Sequence, residues 1–510
     1  MDPMNNTKHI NSGIALMIII LLILGFSVSA QKKWESKFVK LDPKGKLQYI
    51  PDEQGNIIPD FSRVGYHQNT KAIPQVNVVA TLSATGDNDQ QKIQSAINEL
   101  AKKPANVDGI RGAILLKRGD YKISGSLRIS TGGIILRGEG EATRLIATGK
   151  GQRKLIIASG NGNLKEIAGT RTKITDKYNP VGAKSFHVAE IKNYNVGNKI
   201  IIFRPGTAKW IADLKMDQIE PGNGTVQWTA QEYNLEFERT ITAIKRNEIF
   251  IDNPIVMAME DQYGGGEIYA YTFDGRIAEV GIENMLVESE FNGDTDEDHG
   301  WDAISFNKIE NSWISGITSR YFGYSCVNLG NNSKQITVSN CKYLSPKSQI
   351  TGGRRYSFNN DGQLNLIKDC FASEGRHDYV TGAKVRGPNV FFNCRSENAK
   401  ADIGPHHRWA VGTLFDNITT DGEINIQDRG NWGTGHGWAG VNQYLWNCTA
   451  AKITVQNPYV SGNNYAIGVM AIKTEGRLKG RPDGIWEGQN QKGLNPLSLY
   501  LKQVEESKTK

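Results

Sequence analysis

The chain has 510 residues, and 38% hydrophobic residues with 55 glycines and only 16 prolines argue against disorder and suit a turn-rich β protein. This length exceeds an average globular domain but is ordinary for a solenoid, whose core grows along one axis. The formal net charge of +7 is weak evidence for a polyanionic partner. No spacing of cysteine and histidine resembles a zinc site.

The N-terminal residues 1–30 form a targeting signal. Lys8 and His9 precede an apolar run at 14–28, and the small residues Ser29 and Ala30 that follow it suit a cleavage site. This pattern predicts a signal peptide cleaved after Ala30 and a secreted or periplasmic protein. The alternative is an uncleaved anchor. A run of about 15 apolar residues is shorter than the roughly 20 that cross a bilayer, so we expect no stable membrane insertion after cleavage.

The mature chain begins with a polar N-terminal extension at 31–75, and residues 76–184 form a cap and the first β coils. Within 84–103, Asp87 and Asp89 precede four apolar residues at helical spacing: Ile93, Ala96, Ile97 and Leu100. We predict an amphipathic helix here that covers the open end of the β structure. Strand sequences such as GAILLKRGDYKIS and GGIILRGEG follow it.

Two further regions interrupt or end the main pattern. Residues 185–256 read as β strands with a long excursion around Trp228, which predicts a small inserted β module forming one wall of a cleft. Residues 471–510 are polar and rich in Lys and Glu, which predicts a C-terminal cap and tail. Between them, residues 257–470 carry repeated coils.

A short repeat, an apolar strand followed by Asn or Asp, returns seven times in these coils. Its polar residues are Asn284, Asn311, Asn340, Asp369, Asn393, Asn417 and Asn447, 24 to 30 residues apart. A period in the twenties with β-branched and aromatic residues indicates a solenoid that adds one strand layer per repeat. Cys341, Cys370, Cys394 and Cys448 each follow the polar residue. Their shared phase favours a buried thiol stack over disulfides.

The segment from Gly86-Asp87 through the helix to AILLKRGDYKISGSLRI and GIILRGEG resembles the opening of the pectate-lyase-like superfamily of secreted β-helix proteins. With the repeats, the similarity covers most of residues 80–470. It implies an all-β, right-handed parallel β-helix (solenoid) with an N-terminal capping helix and a small inserted β module. The superfamily contains lyases, hydrolases, epimerases and phage tailspikes, so the fold does not settle the chemistry.

Counting 12 to 15 positions from each repeat's Asn or Asp gathers basic residues at one phase of successive coils. This phase contains Asp298 and His299, Tyr324, Arg354 and Arg355, Lys384, His406 to Arg408, and Arg429. Like charges about 5 Å apart repel, so a basic column suits an anionic chain lying across it. A set of solvated surface charges is the alternative.

The resemblance and the basic column together predict a polysaccharide lyase that cleaves a uronic-acid polymer by β-elimination, such as a glycosaminoglycan or a pectin-like chain. Superfamily lyases commonly use Lys or Arg as base. We predict Lys384 as the base, with Arg386 and Arg355 favouring its unprotonated form, and His407 as the competing base. Arg355, Arg376 and Arg408 would bind carboxylate or sulfate. Further predicted substrate-binding residues are Arg354, His377, Arg386, His406, Trp409, Arg429, His436 and Trp438. Trp409, Trp432 and Trp438 suit either a core or sugar-ring faces.

The acidic stretch at 292–299 places Asp294, Asp296 and Asp298 at alternate positions. It resembles the beginning of a Ca²⁺ loop, although the glycine is misplaced and Ser305 stands where such a loop has Glu. We therefore weigh a Ca²⁺ site against an ordinary acidic turn.

Two other functions remain open. A glycoside hydrolase would draw its acids from Asp302, Asp378, Asp402 and Asp428, but these lack a tight Asp-Asp motif. A non-catalytic β-helix that binds carbohydrate is the other. In each case we expect a monomer with an anionic polysaccharide as partner and no nucleic acid.

Overall fold

The computed structural model describes residues 33–222 and 224–508. The predicted signal peptide lies outside these residues, so its cleavage stays a prediction. In the described part of the chain, no helix has the length and apolar character needed to cross a bilayer.

The chain winds into a parallel β-helix whose coils contribute strands to three stacked parallel ladders. In one coil, Ser333–Ser339 belongs to the first ladder, Lys342–Leu344 to the second and Phe358–Asn360 to the third. Each of these strands pairs in parallel with its counterpart one coil later. The predicted all-β solenoid with one strand layer per repeat is therefore confirmed.

The strands of the β-helix have the following bounds. The first ladder contains Val78–Leu82, Gly112–Leu116, Ile134–Ala147, Ile277–Ala278, Gly281–Ser289, Ile309–Arg320, Ser333–Ser339, Leu366–Lys368, Arg386–Phe392, Ala410–Asp416, Gly440–Trp446, Tyr465–Ile467 and Ile485–Glu487. The second contains Gly119–Ile123, Lys342–Leu344, Phe371–Ser373, Arg395–Glu397, Thr419–Thr420, Thr449–Val455 and Met470–Lys473, with the ends of three long first-ladder strands. The third contains Leu127–Ile129, Arg153–Ser159, Gly300–Asn307, Ser325–Leu329, Phe358–Asn360, Tyr379–Thr381, Asp402–Pro405 and Glu423–Ile426.

Six of the seven repeated residues stand at the bend between the first and second ladders. Asn311 lies five residues before the bend of its coil, where Gly316 stands with φ +67°. All seven repeated residues have φ between +47° and +56°. Among residues with a Cβ, Asn and Asp tolerate this left-handed region best, which explains the repeat. Some of their side chains also bond along the stack: Asn393 Nδ2 donates to Asp369 Oδ1 at 2.6 Å, and Asn447 Nδ2 donates to Asn417 Oδ1 at 2.8 Å.

The interior of the coils is an apolar core with a column of thiols. Cys341, Cys370, Cys394 and Cys448 are buried and unoxidised, as predicted, and Cys326 is likewise a buried free thiol. The end of this core is covered by helix α1 (Gln90–Lys102), which buries Ile93, Ile97 and Leu100 against it. The predicted capping helix is thus confirmed.

The inserted module is an antiparallel sheet that extends beyond the predicted range 185–256. Its strands are Lys165–Glu166, Thr172–Lys173, Ser185–His187, Lys199–Arg204, Leu235–Lys245, Glu248–Ile251 and Glu267–Thr272, with a small pair at Tyr178–Asn179 and Met259–Glu260. The module also contains helix α2 (Ala208–Asp213) and short 3₁₀ turns at Ala230–Tyr233 and Asp261–Tyr263. Its apolar core continues into Trp409, Val411, Trp438 and Val441 of the β-helix.

The described N-terminal and C-terminal segments pack on the first ladder. A hairpin of Val39–Leu41 and Leu47–Tyr49 precedes the 3₁₀ turn Tyr66–Asn69, and helix α3 (Leu499–Ser507) ends the described chain. Leu499 and Tyr500 share an apolar cluster with Val39, Phe61 and Trp446. Residues 471–510 therefore include a packed helix as well as the predicted polar cap.

Candidate active site

A cleft of about 580 Å³ lies along the third ladder over four successive coils. Tyr356 and Arg376 reach it from loops that precede third-ladder strands, and Asp402 from the first residue of such a strand. His406, His407, Arg429, Trp432 and His436 enter it from loops that follow these strands. The cleft therefore combines residues that precede third-ladder strands with residues that follow them. It lies on the side of the β-helix where the sequence predicts the basic column.

The inserted module packs against the loops that carry His407 and His436. Trp409 is fully buried, and its ring centroid lies 5.0 Å from that of Trp210 in helix α2. Trp438 is also fully buried and donates its indole N–H to the carbonyl of Leu214 at 3.2 Å. The prediction that Trp409 and Trp438 contact substrate is wrong, because the module covers both rings. They anchor the loops instead.

Four imidazoles form two close pairs across neighbouring coils. The rings of His407 and His436 are stacked, whereas those of His377 and His406 are tilted by 58°. The ring centroids of His377 and His406 are 4.3 Å apart, and those of His407 and His436 are 4.8 Å apart. A further 5.1 Å separates His406 from both His407 and His436. The separation of His407 and His436 matches the spacing of stacked parallel strands, because successive coils carry these two residues at nearly the same phase.

These imidazoles are unprotonated at neutral pH. Burial, followed by the nearby charges of His436 and Arg408, lowers the pKa of His407 to about 3. Burial and Arg429 lower the pKa of His436 to about 4. Burial holds the pKa of His406 far below its ordinary value. A lone pair is therefore available on His407 and His436, which face the cleft.

Asp402 lines the cleft and binds two other side chains of the site. Its carboxylate pairs with the guanidinium of Arg429, and its Oδ1 lies 3.3 Å from Nδ1 of His377. Burial alone would raise the pKa of Asp402, but Arg429 and His377 outweigh it and hold this pKa below the ordinary value. Asp402 thus stays ionised and fixes Arg429 and His377 in place.

Tyr356 and Trp432 are the aromatic groups of the cleft. Burial raises the pKa of Tyr356, although Arg376 opposes this effect, so the phenol carries its proton at neutral pH. Trp432 has 40% of its surface exposed at the rim, and the guanidinium carbons of Arg477 and Arg429 lie 5.2 Å and 5.6 Å from its ring centroid. An exposed indole held between cations suits the apolar face of an anionic sugar.

Several predicted site residues do not line this cleft. Lys384 donates to the carbonyl of Glu232 at 2.8 Å and lies over the ring of Tyr233, both in the module. Arg386 donates to backbone carbonyls of Asn331 and Glu236. The structure therefore contradicts Lys384 as base, because the module engages its ammonium group.

The remaining arginines of the column also have local partners. Arg354 forms a bidentate pair with Glu297 at 2.5 and 2.8 Å. Arg355 is buried and donates to the carbonyl of Ser348, and Arg408 donates to the backbone and hydroxyl of Thr434. Of the predicted arginines, Arg376 and Arg429 line the cleft.

The three carboxylates of the predicted Ca²⁺ site serve a turn and surface pairs. Asp294 lies 2.7 Å from the ammonium group of Lys347, and Asp296 accepts backbone N–H groups of Asn292 and Asp298. Asp298 accepts the N–H of Gly151 at 2.8 Å. Within residues 33–222 and 224–508, three metal-ligating side chains come together at His406, His407 and His436, and not at the acidic stretch 292–299. An ordinary acidic turn therefore accounts for the contacts of the three carboxylates at 292–299.

The sequence did not single out Tyr356, and it left Trp432 open between a core position and a contact with a sugar ring. Tyr356 stands next to Arg355 in the motif GGRRYSFN, and Trp432 lies in GNWGTGHGWAG. One signal was available for the histidines. His407 and His436 are 29 residues apart, which is close to the 30 residues that separate the paired Ala410 and Gly440 of the same two coils.

No family model and no curated protein matches the sequence. Among solved structures, the chain is similar to the tailspike protein of E. coli bacteriophage HK620 in complex with a pentasaccharide, with 8% identity and a TM-score of 0.41 over 86% of this chain and 61% of that one. It is similar to ORF18 of Geobacillus virus E2, with 11% identity and a TM-score of 0.40 over 80% of this chain and 59% of that one. An alginate lyase from Paenibacillus sp. str. FPU-7 has 10% identity and a TM-score of 0.37 over 82% of this chain and its own whole length. With such scores these similarities support no functional conclusion. The assignment of the fold rests on the pairing of the strands in the three ladders.

Proposed function

We propose that the protein is a polysaccharide lyase that cleaves a uronic-acid-containing chain by β-elimination. The observation that carries this proposal is the content of the cleft: unprotonated imidazoles, a protonated phenol and the guanidinium groups of Arg376 and Arg429. Cations bind a uronate carboxylate, and imidazole and phenol groups transfer protons. A glycosaminoglycan or a pectin-like chain has the required acid.

A glycoside hydrolase fits the cleft less well. Hydrolysis needs two carboxyl groups that flank the bond, one of them protonated. In the described lining of the cleft, Asp402 is the one carboxyl group, and it is ionised and paired with Arg429. Asp302, Asp378 and Asp428 are buried and bond to Ser325, Ser357 and Arg481 instead.

The roles in elimination follow from position and protonation. Arg376 binds and neutralises the uronate carboxylate, which makes the C5 proton acidic. His407 accepts that proton on its free ring nitrogen. The C5–H electron pair forms the C4–C5 double bond, the C4–O bond breaks, and Tyr356 donates its proton to the leaving oxygen. Binding of the anionic sugar also raises the basicity of His407 by offsetting the positive charge around it.

A screen of polysaccharides tests the proposal. We expect the purified protein to release unsaturated, ultraviolet-absorbing uronides from at least one of chondroitin sulfates, hyaluronan, heparin, alginate and pectins. New reducing ends without ultraviolet absorbance would establish a hydrolase instead. Binding without any product would establish a carbohydrate-binding β-helix.

Trp432 at the rim provides a second test on the active substrate. We expect Trp432→Ala to raise KM about 10-fold with a small change in kcat, because the indole face contacts a sugar away from the scissile bond. Trp486→Ala is the matched control, since this indole lies near the C-terminal end of the first ladder, away from the cleft lining. Steady-state kinetics with equal KM for both variants would remove Trp432 from the binding surface.

A further inference from the structure

Three imidazoles converge at one point of the cleft. His406, His407 and His436 each offer one ring nitrogen, and these atoms all lie within 4.8 Å of one another. Three ligands bound to one tetrahedral ion at about 2.0–2.1 Å are about 3.3 Å apart, so displacements of about 1 Å bring the rings to a common ion. His407 and His436 are half-buried side chains on loops.

The same three side chains have nitrogen atoms without partners. Nδ1 of His406, of His407 and of His436 is buried and makes no hydrogen bond to any described residue. Buried polar atoms are normally satisfied, so three unsatisfied nitrogens in one cluster point to a ligand that supplies the missing contacts. A cation that accepts nitrogen lone pairs is such a ligand.

We propose that His406, His407 and His436 form a binding site for one divalent transition-metal ion of the zinc class. Imidazole ligands suit Zn²⁺, Cu²⁺ or Ni²⁺, whereas Ca²⁺ and Mg²⁺ require oxygen ligands. The neighbouring charge of Arg429 is offset by its pair with Asp402. Three protein ligands would leave the fourth position of a tetrahedral ion free.

The effect of the metal on the reaction rests on the proposed function. A bound ion occupies the lone pair with which His407 accepts the C5 proton. Metal binding and elimination therefore compete for the same nitrogen, and Zn²⁺ is expected to inhibit the lyase reversibly. The metal site itself depends only on the three side chains.

The test measures metal binding directly. The full-length protein is treated with EDTA, freed of chelator and titrated with Zn²⁺ in a calorimeter. Co²⁺ serves as a second probe, because four-coordinate Co²⁺ absorbs visible light. We expect one ion per chain, and we expect His407→Ala and His436→Ala each to weaken binding by about 100-fold or more, since loss of even an outer-shell partner costs 10–100-fold. His187→Ala is the matched control, an exposed histidine that pairs with Asp176 in the module.

The outcomes separate the metal site from the proposed function. Zn²⁺ affinity that is absent, or unchanged in both cleft variants while circular dichroism shows them folded, would overturn the metal site. If one variant does not fold, the other decides. One bound ion with no lyase activity on any substrate would leave the metal site and overturn the proposed function. Activation by Zn²⁺ would overturn the competition between metal and base.

Discussion

His407→Ala is expected to lower kcat for release of unsaturated products about 10²–10⁴-fold, because a positioned proton acceptor contributes this much to a rate. His407 lines the cleft, is a neutral imidazole with one free lone pair at neutral pH, and has a buried Nδ1 without a hydrogen-bond partner. The backbone of its loop is held by Trp409, whose N–H donates to the carbonyl of Trp438 at 2.9 Å. The substitution therefore removes the imidazole and leaves the loop in place.

The matched control is Lys384→Ala, at the same phase of the preceding coil. Its ammonium group contacts Glu232 and Tyr233 of the module and not the cleft. We expect kcat within about 3-fold of the unmodified protein, as for a residue that does not transfer the proton. Ultraviolet-monitored kinetics on the best substrate compare the two variants. An inactive Lys384→Ala beside an active His407→Ala would return the base to Lys384.

The fold was accessible from sequence because its repeat has a local cause. In the coils that carry the repeat, one residue at positive φ stands where the first ladder bends into the second. Asn or Asp supplies it six times, and Gly316 supplies it in the remaining coil. The thiols inside the bend share this phase for the same reason. The extent of the inserted module was harder to predict, since strands such as Lys165–Glu166 and Glu267–Thr272 are short and far apart in the chain.

The candidate site was accessible only in part. Counting along the coil assigns a residue to one side of the β-helix, and this located His406, His407 and Arg429. Counting positions along the coil cannot show which side chains the inserted module covers, because the module lies far away in the sequence. Glu232 and Tyr233 engage Lys384, and Trp210 and Leu214 bury Trp409 and Trp438, from positions about 150 to 225 residues earlier in the chain.

A buried ion network joins the inserted module to the β-helix, and its loss is expected to be costly. Lys334 Nζ lies 2.9 Å from Glu238 of the module and 3.1 Å from Glu310 of the first ladder, while Arg276 also pairs with both carboxylates. Burial would raise the pKa of Glu238, but Lys334 and Arg276 hold it well below its ordinary value. Lys334→Met leaves the buried Glu238 with Arg276 as its charged partner, while Glu310 keeps Arg276 and the more exposed Lys199. We expect the free energy of unfolding to fall by about 3–5 kcal/mol.

The matched control is Lys199→Met, which removes a lysine from the same Glu310 at 3.2 Å. The side chain of Lys199 is 55% exposed, against 8% for Lys334. Exposed pairs contribute about 0–1 kcal/mol, so this variant should stay within that range. Urea-induced unfolding followed by tryptophan fluorescence measures both. Equal losses would show that burial does not set the strength of this network. The expected difference would show that the buried Lys334 contributes to the attachment of the module, whose Trp210 and Leu214 contact the histidine loops.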